Sequence, residues 1–514
     1  MAHLLRGGRI LFPGSRALSA LLIDEGRIAW IGNDDEASRL SLGGVTLTEL
    51  DGALLTPGFV DAHVHATSTG MTLLGLDLSR SHSADELLDA VAHEAASGSY
   101  SIILGHGWDE SSWSDRRLPS ARELDQASAG ARVYLTRVDV HSALVSSALM
   151  DAVPECRGLR GFDESGWVTQ EAHHVLRELA LGQIDEVTRR QAHEAFLDAA
   201  AQRGIVSVHE MAGPVISSES DCEQLMRRSV ERGGTQVVAY WGQLAQHGGI
   251  DVARALGVQG TGGDLFVDGS LGSHTACLHD AYADAPDTSG REFIDAKELI
   301  AHVDMCVRAG MQTGFHAIGD AATDAVIDAY STAAFAHGNE VFRRQRHRIE
   351  HAESLSAASV EACFELGIIA SMQPVFDTRW GGELGMYAQR LGRDRAALLN
   401  PIGDLCRQGV SVAFGSDSPV TPLDPWGAVH AAMNHHTSSQ RIDLTSAIEA
   451  HTRSGWHAAG VDDAGTLAVG MAAHLAIWAV TDENGIPPVG AQAIRTIRSG
   501  VIIHDSGQLL DSRC

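Results

Sequence analysis

Apolar and polar positions change rhythm twice along this chain. Up to about residue 55 the apolar residues come in short runs. In "ALLIDEGRIAWIGN" (20–33) an apolar stretch meets Glu25-Gly26 and resumes with Ile28, Trp30 and Ile31, which predicts a β-hairpin. The C-terminal end reads alike, with "HLAIWAV" at 474–480 and "IRTIRSGVIIHD" at 494–505. Two β-rich ends around a long middle predict one small β-sandwich domain, built from residues 1–55 plus 461–514.

Between these ends, across 56–460, short apolar runs alternate with longer amphipathic ones. The runs are "RVYLTRV" (132–138), "GIVSVHE" (204–210), "QVVAYWG" (236–242), "GDLFVDG" (263–269), "QTGFHA" (312–317), "RHRIEHA" (346–352), "GIIASMQ" (367–373) and "GVSVAFGSD" (409–417). Helices are predicted between them, for example over 295–310, where Leu299, Val303 and Val307 share one face, and over 320–338. Repeated strand–helix units predict an α/β fold with a parallel sheet, and about eight units predict a (β/α)8 TIM-like barrel.

Sites in such barrels gather at the C-terminal ends of the strands. The stretch "TPGFVDAHVHATSTG" (56–70) puts His63 and His65 at one strand end. Residues two apart face the same way in a strand, so both rings reach the barrel mouth. His316, His351 and Asp417 end later strands. Among 26 histidines, any one of these could be an ordinary buried polar residue, and an HxH pair alone is a weak signal. Five such residues at positions that one barrel would converge match the N/O donor set of a divalent metal such as zinc.

Composition narrows the class. The 514 residues are 44% hydrophobic and 20% charged, as in a packed globular protein. A net charge of −28 argues against nucleic acid and anionic membrane as partners and for a soluble protein, and a small-molecule substrate is the expected partner. Homo-oligomerisation is left open. No secretory leader or membrane span is legible. Seven scattered cysteines, from Cys156 to Cys514, without a CxxC pair, imply reduced thiols and a cytoplasmic setting. Lys297 is the sole lysine.

"PGFVDAHVH", "FHAIGDAATDAVIDAY", "RHRIEHAE", "ASMQP" and "GSDSPVTPLDPW" together resemble the amidohydrolase superfamily, in the branch that includes N-substituted formamide deformylase. "GHGWDESSW" (105–113) and "DGSLGSHTA" (268–276) are similar to further blocks of that branch. The resemblance implies a metal-dependent hydrolase in which His63, His65 and Asp417 bind one metal, and His316 and His351 bind or flank a second metal or the substrate. It implies hydrolysis of a non-peptide C–N bond by metal-activated water. Asp417 would shuttle the proton and His351 would stabilise the oxyanion. Deamination or lactone opening on the same site, and a catalytically degenerate binding protein, are the alternatives.

One departure stands out. Relatives carry a carboxylated lysine four residues before "DGS"; here that position is Asp264. Lys297 falls in a predicted helix, so no lysine-carbamate bridge is expected. The shorter side chain favours a single ion. Asp264 binding or bridging a second ion in altered geometry, or a weakened site, are the other readings. Relatives often have a histidine where Phe376 stands, which implies a more apolar pocket. Trp108, His141, His274 and Asp320 are candidate substrate contacts, with core packing or helix capping as their structural alternatives. Strand alternation predicts that Glu350 points away from His351, and His435 and His436 read as a solvated loop.

Overall fold

Glu25 and Gly26 both take positive φ, at 47° and 75°, and turn the predicted hairpin between strands Ala20–Asp24 and Arg27–Gly32. That tight turn suits the twist of the strands it joins. The computed structural model describes residues 2–11, 18–40, 44–97, 102–182, 185–479 and 485–513. Val480, at the end of a predicted strand, and Cys514 lie outside them.

The hairpin belongs to a five-stranded sheet with His3–Arg6, Thr46–Glu49 and Asp511–Arg513. A second five-stranded sheet joins Arg9–Ile10 and Leu54–Pro57 to Leu475–Trp478, Ala493–Arg498 and Val501–Asp505. Leu5, Leu21 and Ile23 of the first sheet meet Leu55, Leu475 and Ile497 of the second in one buried cluster. Each such burial contributes about 1.5–3 kcal/mol, so the two ends of the chain hold each other.

Eight parallel strands form the central sheet. They are β1 (Phe59–Val64), β2 (Ile205–Ala212), β3 (Gln236–Trp241), β4 (Gly260–Thr261), β5 (Gln312–Ala317), β6 (Arg348–His351), β7 (Ile369–Met372) and β8 (Ser411–Phe414). The sheet curls until the chain after β8 meets β1: Asp417 N–H donates to His63 O at 2.8 Å and His65 N–H to Ser418 O at 2.9 Å. Helices cover the outside. Asp295 caps Ala296–Ala309, and the predicted face Leu299, Val303 and Val307 is buried against the barrel.

One predicted barrel strand falls elsewhere and another is cut short. Residues 132–138 pair with Ile102–Trp108 and Ser142–Val145 in a separate five-stranded sheet, inserted between β1 and β2. An apolar strand before a helix looks the same in either setting; only its pairing partners decide. In 263–269 no long strand forms. After the short β4, the chain runs beside β5 through a single bridge, Phe266 to His316. No helix among the described residues is long and apolar enough to cross a membrane.

Candidate metal centre

The barrel interior is polar at its centre. Arg348, fully buried on β6, forms a bidentate pair with Glu350 at 2.8 and 2.9 Å. It also donates to His209 Nδ1, Tyr240 Oη, Ala62 O and Ser371 Oγ. A buried guanidinium is tolerable only with its donors satisfied in this way. Glu350 then accepts a hydrogen bond from His63 Nδ1 at 2.9 Å. This corrects the expectation that Glu350 faces away. His351 and Ala352 take φ of 68° and 48°, which breaks strand alternation and lets both Glu350 and His351 face inward.

His63, His65, His316, His351, Asp264 and Asp417 are all buried and converge. Asp264 sits in the middle. Its Oδ2 lies 3.1 Å from His65 Nε2 and 3.5 Å from His63 Nε2. Its Oδ1 lies 3.4 Å from His316 Nδ1 and 3.6 Å from His351 Nε2. Asp417 Oδ1 lies 3.1 Å from His65 Nε2 and 3.5 Å from His63 Nε2.

These residues fit a metal. His63 Nε2, His316 Nδ1, His351 Nε2, Asp264 Oδ1 and Asp417 Oδ1 are buried with no hydrogen-bond partner. Ligand bonds of about 2.1 Å at tetrahedral angles put neighbouring donor atoms about 3.4 Å apart, close to the spacings observed. Two sets of donor atoms are tight enough to hold an ion, His63–Asp264–His351 and His63–His65–Asp417.

The outer nitrogens explain the orientation. His63 Nδ1 is tied to Glu350, His316 Nε2 to Gly269 O at 3.2 Å, and His351 Nδ1 to Gln373 Oε1 at 3.0 Å. Each acceptor draws the N–H outward and leaves a lone pair facing the centre, as a metal ligand requires. For His351 that bond uses the one N–H of the neutral ring, which suits a ligand and not the oxyanion donor expected from the sequence.

Electrostatics agree. Burial alone would raise the Asp264 carboxyl, but the histidines around it hold it well below the usual carboxylate range. Burial would lower His65, yet the carboxylates of Asp264 and Asp417 beside it bring it up to about 9. The carboxylates are thus held ionised, and the protons drawn onto His63 and His65 are the ones a cation would displace.

Backbone glycines bring the short Asp264 to the centre. A Cβ on Gly262 would lie 2.2 Å from Gly314 N, and one on Gly263, at φ 81°, 2.6 Å from Met211 Sδ. Only glycines allow this close approach to β5 and β2. Lys297 is exposed in its helix, where it cannot supply a bridge.

A cavity of about 360 Å³ opens over the centre, with His65, Asp264, His316, His351 and Asp417 on its wall. His141 also lines it, its ring 5.7 Å from that of His316. Burial pushes His141 down to about 4, so it is neutral and can donate a hydrogen bond. Phe376 stacks on His351 at 6.1 Å. The other candidates are not brought together. Trp108 is buried in the inserted sheet's core, its indole N–H donating to Leu135 O at 2.9 Å. His274 pairs with Asp284 at 3.0 Å. Asp320 opens its helix and accepts from His279 N–H at 2.9 Å. His435 is buried 3.5 Å from Asp377 and is not in a solvated loop.

The profile of the Amidohydrolase family matches residues 47–504. The chain belongs to that family. The protein named LONG AFTER FAR-RED 3 of Arabidopsis thaliana is 28% identical over 93% of this chain and 87% of its own. The N-substituted formamide deformylase of Arthrobacter pascens is 24% identical over 89% of each chain. A crystal structure of an uncharacterized metal-dependent hydrolase from Pyrococcus furiosus superposes with a TM-score of 0.72 at 28% identity, over 93% of this chain and 98% of that one. This amidohydrolase is accordingly a metal-dependent hydrolase, and its His/Asp cluster is the candidate metal-binding group.

Proposed function

We propose that the protein hydrolyses a non-peptide C–N bond in a small amide or N-substituted formamide. Asp417 carries this reading. It faces both the histidine cluster and the cavity. An amine leaves readily only when protonated, and a carboxylate there both accepts a proton from water and returns it to nitrogen. The similarity to N-substituted formamide deformylase supports the same bond type.

The ligands divide around Asp264: His63, His65 and Asp417 on one side, His316 and His351 on the other. This division supports two divalent ions, rather than the single ion that the aspartate substitution favours in the sequence; zinc suits the N/O donors. Such ions supply a water acidified toward neutrality and polarise the scissile carbonyl. His141, neutral and donating, stabilises the oxyanion. His351 holds its ligand position through Gln373. The free cysteines support a reducing, cytoplasmic setting.

The test is hydrolysis of N-benzylformamide by the purified protein, followed by benzylamine and formate release. Amine release abolished by Asp417→Asn is the expected result. Inactivity on amides with ammonia release from small heterocycles would replace this reading with a deaminase.

A further inference from the structure

The inserted segment does more than decorate the barrel. Its helix Gln170–Gly182 lies over the cavity and presents His173, His174 and Arg177, which share one helical face, to the space above the metal centre. Val140, Leu244, Phe266 and Phe293 give the same cavity an apolar wall. Arg177 lines this cavity and two of the spaces that share its walls.

Arg177 has no ion-pair partner among the described residues, although the chain carries 66 acidic side chains against 38 basic ones. The neighbouring arginines behave differently. Arg137 pairs with Asp109, Glu110 and Asp139, and Arg189 pairs with Asp221 at 3.2 Å. Two acids around these spaces are engaged elsewhere. Asp139 is held by Arg137 at 3.0 Å and Ser273 at 2.8 Å, and Glu210 accepts from Ala66 N–H at 2.7 Å. In so acidic a protein, a half-buried arginine left unpaired in a cavity with an apolar wall is a recognition group in search of an anion.

We propose that Arg177 selects substrates bearing a carboxylate, separated by an apolar body from the carbonyl attacked at the metal centre: amides whose acid group sits at the far end of a hydrocarbon chain or ring. The reading rests on the C–N hydrolysis proposed above for the bond cleaved, but the anion site stands on Arg177 alone. The apolar wall takes that hydrocarbon body, Arg177 takes the carboxylate, and the amide carbonyl lies toward Asp264 and Asp417, which line the same cavity.

Binding without turnover tests it. Isothermal titration calorimetry on the protein as purified with its metal would compare 3-phenylpropionate with its neutral analogue 4-phenylbutan-2-one. The acid is expected to bind about ten- to a hundred-fold tighter, the range of a charge-assisted hydrogen-bond pair. Arg177→Met should erase that preference and leave the ketone's affinity unchanged, and Arg177→Lys should keep part of it. Equal affinities in the wild type, no binding of the acid, or a preference that survives Arg177→Met, as direct coordination of the acid by metal would give, overturn the proposal. Neither probe contains a C–N bond, so inactivity on amides would sink the proposed reaction and leave this result standing.

Discussion

Glu350 receives the Nδ1 proton of His63 at 2.9 Å, although 287 residues separate the two in the chain. Through Arg348, the same carboxylate ties the metal centre to the buried floor of the barrel. Burial would raise the Glu350 carboxyl, but Arg348 and His63 hold it at about 2, so it is ionised whenever the protein is folded at ordinary pH.

Glu350→Gln keeps the shape and removes the charge. Arg348 is then left buried without its counter-ion, a cost of about 3–5 kcal/mol. The tie on His63 also weakens, and metal affinity should drop about 10–100-fold. Thermal unfolding and metal titration measure the two effects separately; a variant matching wild type in both would show the pair to be incidental.

Asp264 touches all four histidines and is the group through which a second ion would be held. Elemental mass spectrometry on protein purified without chelator or metal-affinity tag should find about two ions per chain, and fewer in Asp264→Ala. One ion in both proteins would assign the site to a single metal with Asp264 outside its ligand set.

Gly262→Ala acts through the backbone. Its Cβ would press on Gly314 N at 2.2 Å, an atom that cannot yield without bending β5. Asp264 should move off centre, and the variant should lose metal even though every ligand is still present. Unchanged metal content would mean that β4 and β5 can part without cost.

Asp417→Asn keeps a ligand oxygen and removes the proton carrier. Turnover should fall about 10²–10⁴-fold, with the circular dichroism spectrum unchanged. A loss of less than ten-fold would move the proton transfer to another group.

In the β-sandwich, buried Arg495 donates to Asp511 and to Asp505, each at 2.7 Å, and Thr48 donates to Asp511 at 2.6 Å. Burial would raise the Asp511 carboxyl, but these donors hold it below its ordinary value. A carboxyl depressed on folding stabilises fully above its unfolded pKa, about 3.9, and loses that contribution as pH falls through its folded value. Asp511→Asn should therefore lower Tm at pH 7, and the gap to wild type should close as pH drops below about 4. A gap independent of pH would assign the effect to packing.

The chain's local patterns determined much of this protein. Strand alternation puts His63 and His65 on one side of β1, and helical spacing puts Leu299, Val303 and Val307 on one face. Both periods are set by backbone geometry and need no partner. The placement of His316, His351 and Asp417 at strand ends was legible for the same reason. Tertiary structure decided the rest. Residues 132–138 form a strand in either setting, but their hydrogen-bond partners place them in the insertion. Alternation turned Glu350 away from His351, and the left-handed backbone at His351 reversed that. Trp108 is lost to a core that exists only because the insertion folds on itself. Asp264 became central because two glycines bring its backbone against Met211 and Gly314, and Arg177 reaches the cavity only because its helix lies across the barrel mouth. Each of these depends on contacts between residues far apart in sequence, which chain closure creates and local periodicity does not encode.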